Sequence, residues 1–187
     1  MSRARKMSDF RDQWRRLMWP FLGAAAIAAA DQAIKLAVLA VQPHVTVIPG
    51  FFAISFATNT GAAFSLFRKF PGALTVLGIA ILAGLIVYML RRSATATRLV
   101  QTALALLVGG AAGNLIDRVR LGYVVDYLDV FVGTYHWPTF NLADSTLNIG
   151  AVLLAWAWLR GAAAPSDLTG AERQSPAHDA SIGGPSR

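Results

Sequence analysis

Cysteine is missing altogether from this 187-residue chain, which excludes a disulfide framework, a thiol nucleophile and any zinc site built on thiolates. Histidine is scarce: His44, His136 and His178 are scattered with no metal-ligand spacing, so no metal and no cofactor is expected. Charge is thin as well. Only 14% of the residues are Asp, Glu, Lys or Arg, against about 25% in an ordinary soluble domain. Neither GxGxxG after a strand nor GxxxxGK[ST] occurs, which argues against a nucleotide enzyme. No internal repeat is evident. What is there instead is apolar: 55% of the residues are hydrophobic.

The net charge of +7 invites a nucleic-acid reading, but its distribution does not fit one. Arg3, Arg5, Lys6, Arg11, Arg15 and Arg16 precede the first apolar run, and Arg91, Arg92 and Arg98 lie between the second and third. No basic stripe interleaved with aromatics is present, so nucleic acid is not an expected partner. Basic clusters beside apolar runs follow the positive-inside rule, which places both clusters in the cytoplasm.

Four stretches have the length and composition to cross a bilayer: residues 20–41, 71–90, 99–116 and 140–159. Both termini then lie in the cytoplasm, and residues 42–70 and 117–139 lie on the outer, periplasmic side. The start also has the look of a cleavable secretory signal, with basic residues, an apolar run and Ala28-Ala29-Ala30. The apolar pattern nevertheless continues through Val41, and Asp31 and Lys35 share one helical face at i,i+4, which favours a retained helix. Val45 and Val47 alternate, as do Phe52, Ile54, Phe56 and Thr58; Tyr123–Leu128 is a further β-rich run. The expected fold is a mostly α membrane protein, four transmembrane helices with a small periplasmic β-sheet. It divides into a basic segment (1–19), a membrane domain (20–160) and a disordered cytoplasmic tail (161–187). Trp137-Pro138 reads as an interfacial anchor and helix start. Gly109 and Gly113 have GxxxG spacing, which lets helix backbones approach closely and brings Asn114 near a neighbouring helix.

The chemistry sits in the polar residues. Asp117, Asp126, Asp129 and Asp144 fall near the outer ends of the third and fourth spans, where ionisable groups are costly and usually functional. Asp129 reads as merely solvated, and Asp117, followed by Arg118, as a local ion pair or polar clamp. Asn141, Asp144 and Asn148 recur at i, i+3 and i+7, a polar stripe expected to face the bundle interior. Asp126 alternates with Val124 and Leu128; if its strand folds back over the bundle mouth, it approaches Asp144. Two such carboxylates cannot both ionise cheaply and would share one proton. That is the chemistry of an aspartic protease. Paired acids in membranes also serve proton relays, so the residues alone leave open a small proton-coupled carrier. Asn59-Thr60-Gly61 is equally a turn sequence and a candidate site element.

At these residues the chain resembles the lipoprotein signal peptidase (signal peptidase II) family of bacterial inner-membrane aspartic proteases. The matching stretches are Asp31–Lys35, Asn59–Ser65, Gly113–Arg118, Val124–Tyr127 and Phe140–Ser145, in family order, with Tyr127 where Phe is common. The resemblance implies a catalytic pair of Asp126 and Asp144. It also implies that Asn59, Gly61, Asn114, Asp117, Arg118 and Asn141 line or support the site, and that Asp31 and Lys35 hold the first helix. The implied substrate is a diacylglyceryl-modified prolipoprotein, cut just before the lipidated Cys beside membrane lipid. Globomycin is the implied inhibitor. A monomer suffices. Near the start of its helix, Asp144 is the expected ionised member and Asp126 the protonated one.

Overall fold

The computed structural model describes residues 3–61, 72–93 and 95–161, with side chains from Met18 onward. The expectations for Pro71, Ala62–Ser65, Arg68, Lys69 and residues 162–187 lie outside these. Helix α1 runs Arg3–Val41, so the basic segment, read as separate from the first span, is helically continuous with it. Pro20 lies inside the helix and is buried; in an apolar setting neighbouring helices tolerate the single lost hydrogen bond. The helix stops where Gln42 takes φ 46, its N–H bonding the Val38 carbonyl, and Pro43 follows. Helix α2 spans Ala73–Arg92 and α3 spans Arg98–Leu121. Thr97 caps the start of α3, accepting from the Val100 N–H, and Gly122 ends it at φ 78. Because α3 runs on past Ile116, Asp117 and Arg118 are helical, not just outside the span as the sequence suggested. Helix α4 spans Leu142–Leu159. All four are long and apolar enough to cross a membrane.

Helix α3 is the most buried of the four and α2 the least. The Gly109–Gly113 stretch explains how α3 takes the central place. A Cβ at Gly109 would lie 2.8 Å from the Ala24 carbonyl oxygen of α1, and one at Gly110 would lie 2.6 Å from the Ala143 carbonyl oxygen of α4. At Gly113 the Cβ would meet Asp31 Oδ2 at 2.5 Å. The GxxxG pair thus packs on α1, while the intervening Gly110 admits α4 on the other side.

A four-stranded antiparallel sheet, in the order β1-β2-β3-β4, caps the bundle end where α1 and α3 finish and α2 and α4 begin. Its strands are β1 (His44–Ile48), β2 (Phe52–Asn59), β3 (Val124–Val132) and β4 (Tyr135–His136). At two residues β4 is too short for any periodicity and carries no pattern of its own. Val125 and Tyr127 turn one face of β3 onto Val38 of α1, which leaves Asp126 on the other. Between Ile54 and Ala57 a bulge advances the β2–β3 register by one residue, so Asp126 pairs with Ala57 instead of Phe56.

Gly110→Ala should lower the thermal midpoint in detergent. Overpacking against Ala143 costs roughly 1–3 kcal/mol, more than the about 1 kcal/mol of helix propensity gained. Gly84→Ala in α2, where a Cβ meets nothing within 4 Å, should leave the midpoint unchanged or raise it; equal behaviour of the two variants would contradict the packing account.

Candidate active site

The site forms around the buried start of α4. The first N–H groups of a helix have no partner within it and must find one elsewhere. Leu142 N–H donates to the Tyr127 hydroxyl (3.1 Å), Ala143 N–H to Asp31 Oδ1 (3.0 Å) and Asp144 N–H to Asn141 Oδ1 (2.9 Å). Asn141 sits at the N-cap in extended backbone, outside the helix rather than on its face as expected. Its own N–H donates back to Asp144 Oδ2 (3.2 Å), which completes a capping box. Asp144 is therefore fixed by the same contacts that begin its helix.

Asp126 reaches this point from β3. Asn59 lies two residues beyond its partner Ala57, hence on the same face, and donates Nδ2 to Asp126 Oδ2 at 3.0 Å. Without the bulge Thr58 would stand in that place. The turn and site readings of Asn59 are both realised, since its Oδ1 accepts from the N–H of Gly61 (2.9 Å), which has φ 73. Asn141 Nδ2 donates to Asp126 Oδ1 at 2.7 Å, so one residue holds both acids. Asn141 thereby bridges the two carboxylates.

Behind the acids lies a buried ion cluster. Lys35 Nζ contacts Asp31 Oδ2 at 2.8 Å, Asp117 Oδ2 at 3.0 Å and Asn114 Oδ1 at 3.0 Å. Asp117 also accepts from the Val125 N–H (3.0 Å), which anchors β3 next to Asp126, and from Gln32 Nε2 (2.9 Å). Asn114 Nδ2 donates to Asp144 Oδ1 at 2.7 Å. The amide orientations follow from chemistry. Lys35 can only donate, so it faces Asn114 Oδ1 and the NH2 turns to Asp144; the Asp144 N–H orients Asn141 in the same way.

Burial pushes Asp126 up from 3.8 to about 6; the amide of Asn59 opposes this, the negative charge of Asp144 adds to it, and Asn141 and Lys35 oppose it. Burial likewise raises Tyr127. Asp144 is half-buried, at a helix N-terminus that favours negative charge. The two acids thus sit in unlike surroundings, and burial favours the protonated form of Asp126. Among the described residues no cluster of three or more His, Asp or Glu side chains could hold a metal.

Several expectations change. Asp129 is not solvated: it is buried and bonds His136 Nδ1 at 2.8 Å. Asp117 pairs with Lys35 rather than Arg118, whose guanidinium donates, among the described residues, to the Asn114 carbonyl at 3.5 Å. Asn148 is exposed and does not face the interior, because α4 turns Ala143, Gly150 and Ala157 inward. Gln32 and the Tyr127 hydroxyl were missed as supports. The Asn141–Asp144 spacing was legible as a capping box, but no local signal marks Gln32, which bonds across the bundle.

Residues 23–160 match the family model described as signal peptidase (SPase) II. A lipoprotein signal peptidase of Paraburkholderia phymatum is 47% identical over 148 residues, covering 75% of this chain and 88% of the relative. One from Geobacter sulfurreducens is 44% identical over 130 residues, 67% of this chain and 81% of the relative. Two solved bacterial membrane enzymes superpose with TM-scores of 0.66 and 0.67 at 32% and 33% identity. They cover 77% and 75% of this chain, and 89% and 92% of their own.

Lys35→Met should destabilise the protein by roughly 3–5 kcal/mol, because Asp31 and Asp117 lose their buried counter-charge. Adding Asp31→Asn should restore part of that loss. Thermal unfolding in detergent measures both, and a single variant as stable as the parent would contradict the cluster's role.

Proposed function

The chain belongs to the signal peptidase II family, and on that premise we propose that Asp126 and Asp144 are its catalytic pair. It is a membrane aspartic peptidase that removes the signal peptide of prolipoproteins. The observation that carries the assignment of residues is Asn141, whose side chain binds Asp126 while its backbone N–H binds Asp144. Membership of a peptidase family lends the carrier alternative no support.

In the proposed reaction Asp144, ionised, takes a proton from water as the water oxygen attacks the scissile carbonyl carbon. Asp126, protonated, gives its proton to the carbonyl oxygen, and a neutral diol results. The diol then collapses: its C–N bond breaks, Asp144 returns its proton to the leaving nitrogen, and Asp126 recovers one from the diol hydroxyl. The dyad is regenerated and the atoms balance. Asn59, Asn114 and Asn141 orient the two acids, and Gly61 sets the Asn59 turn. Asp117 anchors the strand carrying Asp126, and Arg118, at the rim, meets the substrate. Asp31 and Lys35 tie α1 to α3 and α4.

The substrate is a diacylglyceryl-modified prolipoprotein cut just before the lipidated Cys, its lipid remaining in the bilayer. A globomycin-type inhibitor competes at the same place, and the enzyme works as a monomer. Arg91, Arg92 and Arg98 lie at the bundle end opposite the sheet. The positive-inside rule therefore puts both termini in the cytoplasm and the acids near the periplasmic face of the inner membrane.

Purified protein should cleave a diacylglyceryl-modified precursor, while Asp126→Asn and Asp144→Asn each abolish cleavage and stay folded; cleavage by either variant would remove the dyad. The pH profile supplies a second test. A proton held by Asp126 up to about 6 is present below that pH and lost above it, so kcat/KM should fall on a basic limb near there. Asn59→Ala removes a donor to the Asp126 carboxylate and should move this limb to higher pH. A limb that shifts downward would contradict the proton's placement.

A further inference from the structure

Asn148 has no role in the site so far described, yet its setting is unusual. It lies in α4, a helix apolar enough to span the membrane, and its side chain is exposed. Among the described residues no group hydrogen-bonds its amide. Leaving such an amide in hydrocarbon without a partner is costly. Its position is equally specific. At i,i+4 from Asp144 it shares the face of α4 that carries the acid. The next positions on that face, Ala151, Val152 and Ala155, are exposed as well. The distance inward from Asp144 is about 6 Å, four residues at 1.5 Å each.

The substrate supplies the complementary groups. A signal peptide crosses the bilayer as a helix, but the peptide bond to be hydrolysed must lie open to both acids, so that helix has to end before it. The last four carbonyls of a helix have no partner within it. On entering beside α4 they would be left bare in the hydrocarbon just inward of Asp144, at the depth of Asn148. Acceptors without donors and an amide without a partner then meet.

We propose that Asn148 is a substrate-positioning residue, its Nδ2 donating to a main-chain carbonyl at the end of the signal helix. The carbonyl lies about two to four residues before the cleaved bond, depending on whether the intervening backbone is extended or helical. The contact reads backbone, so it serves precursors whose side chains differ. It rests on the assignment of Asp144 as a catalytic residue.

The test is steady-state cleavage of a diacylglyceryl-modified precursor peptide by the full chain in detergent. Asn148→Leu should raise KM about tenfold, with kcat changed less than about twofold, and Asn148→Gln, which keeps the donor, should recover most of the loss. The thermal midpoint should not fall, since the side chain is exposed and makes no hydrogen bond among the described residues; if it does, Asn148→Ala is read in place of Asn148→Leu. Replacing single amides by esters in that stretch of the precursor weakens one carbonyl at a time as an acceptor. One such replacement should slow the parent enzyme and leave Asn148→Leu unaffected. Unchanged kcat/KM in the apolar variants, or a loss confined to kcat, overturns the inference. Its failure is distinguishable from failure of the dyad: a parent enzyme that cleaves, with Asp144→Asn inactive and Asn148→Leu normal, removes Asn148 alone.

Discussion

A buried ammonium governs the rest of the site. Lys35 has three protons and spends them on Asp31, Asp117 and Asn114, each on a different structural errand. Asp31 also receives the Ala143 N–H, so the first helix helps to begin the fourth. Asp117 also receives the Val125 N–H, so the third helix locates the strand that bears Asp126. Asn114 is oriented by its contact with a group that can only donate, and so presents its NH2 to Asp144. Removing the charge would leave two buried carboxylates without their counter-charge, which is why the cation and both acids belong to one unit.

The second device is geometric. A strand pairing without interruption would place Thr58 beside Asp126, and a hydroxyl there could either donate or accept. The bulge between Ile54 and Ala57 instead brings up Asn59, whose Oδ1 is occupied by Gly61, leaving only donors for the acid. Three asparagines are thus oriented by groups that cannot reverse their polarity: a lysine and two backbone N–H groups. The opposing acids then differ by environment more than by partners. Asp126 is buried under the sheet, whereas Asp144 is half-buried at a helix start. In the proposed mechanism that difference divides the acid and base roles between them.

How much of this could be read from the chain depends on how local each signal is. The four spans are legible because apolar length is a property of the segment itself, and their ends moved by only a few residues. Asp31 with Lys35 is legible because i,i+4 spacing on a helix fixes the pairing. For Asp117 the sequence offers a local ion pair with Arg118 or a polar clamp; it is the clamp, and adjacency hides its partner 82 positions away on another helix. Asp129 looked solvated for the same reason: its partner His136 sits on a strand of two residues that carries no pattern. The bulge is invisible in principle. Alternation predicts a register, and a one-residue slip within it reverses which side chains share a face.

The stripe of Asn141, Asp144 and Asn148 shows what a helical wheel omits. Its geometry presumes that all three residues are helical, but Asn141 is the cap and lies off the wheel. Once it is removed, the inward face of α4 belongs to Ala143, Gly150 and Ala157, small residues of which Ala143 meets Gly110 and Gly113 of α3 and Gly150 packs on Ala103, Leu106 and Leu107. Asp144 sits at the margin of that seam, still bonded to Asn114 of α3, and Asn148 lies outside it. Close helix contact therefore closes one side of α4 against α3, and in the proposed mechanism it leaves Asp144 at the edge of the other side, where a chain arriving through the bilayer would reach it. A polar face buried in the bundle would have stabilised the fold and hidden the acid from any substrate.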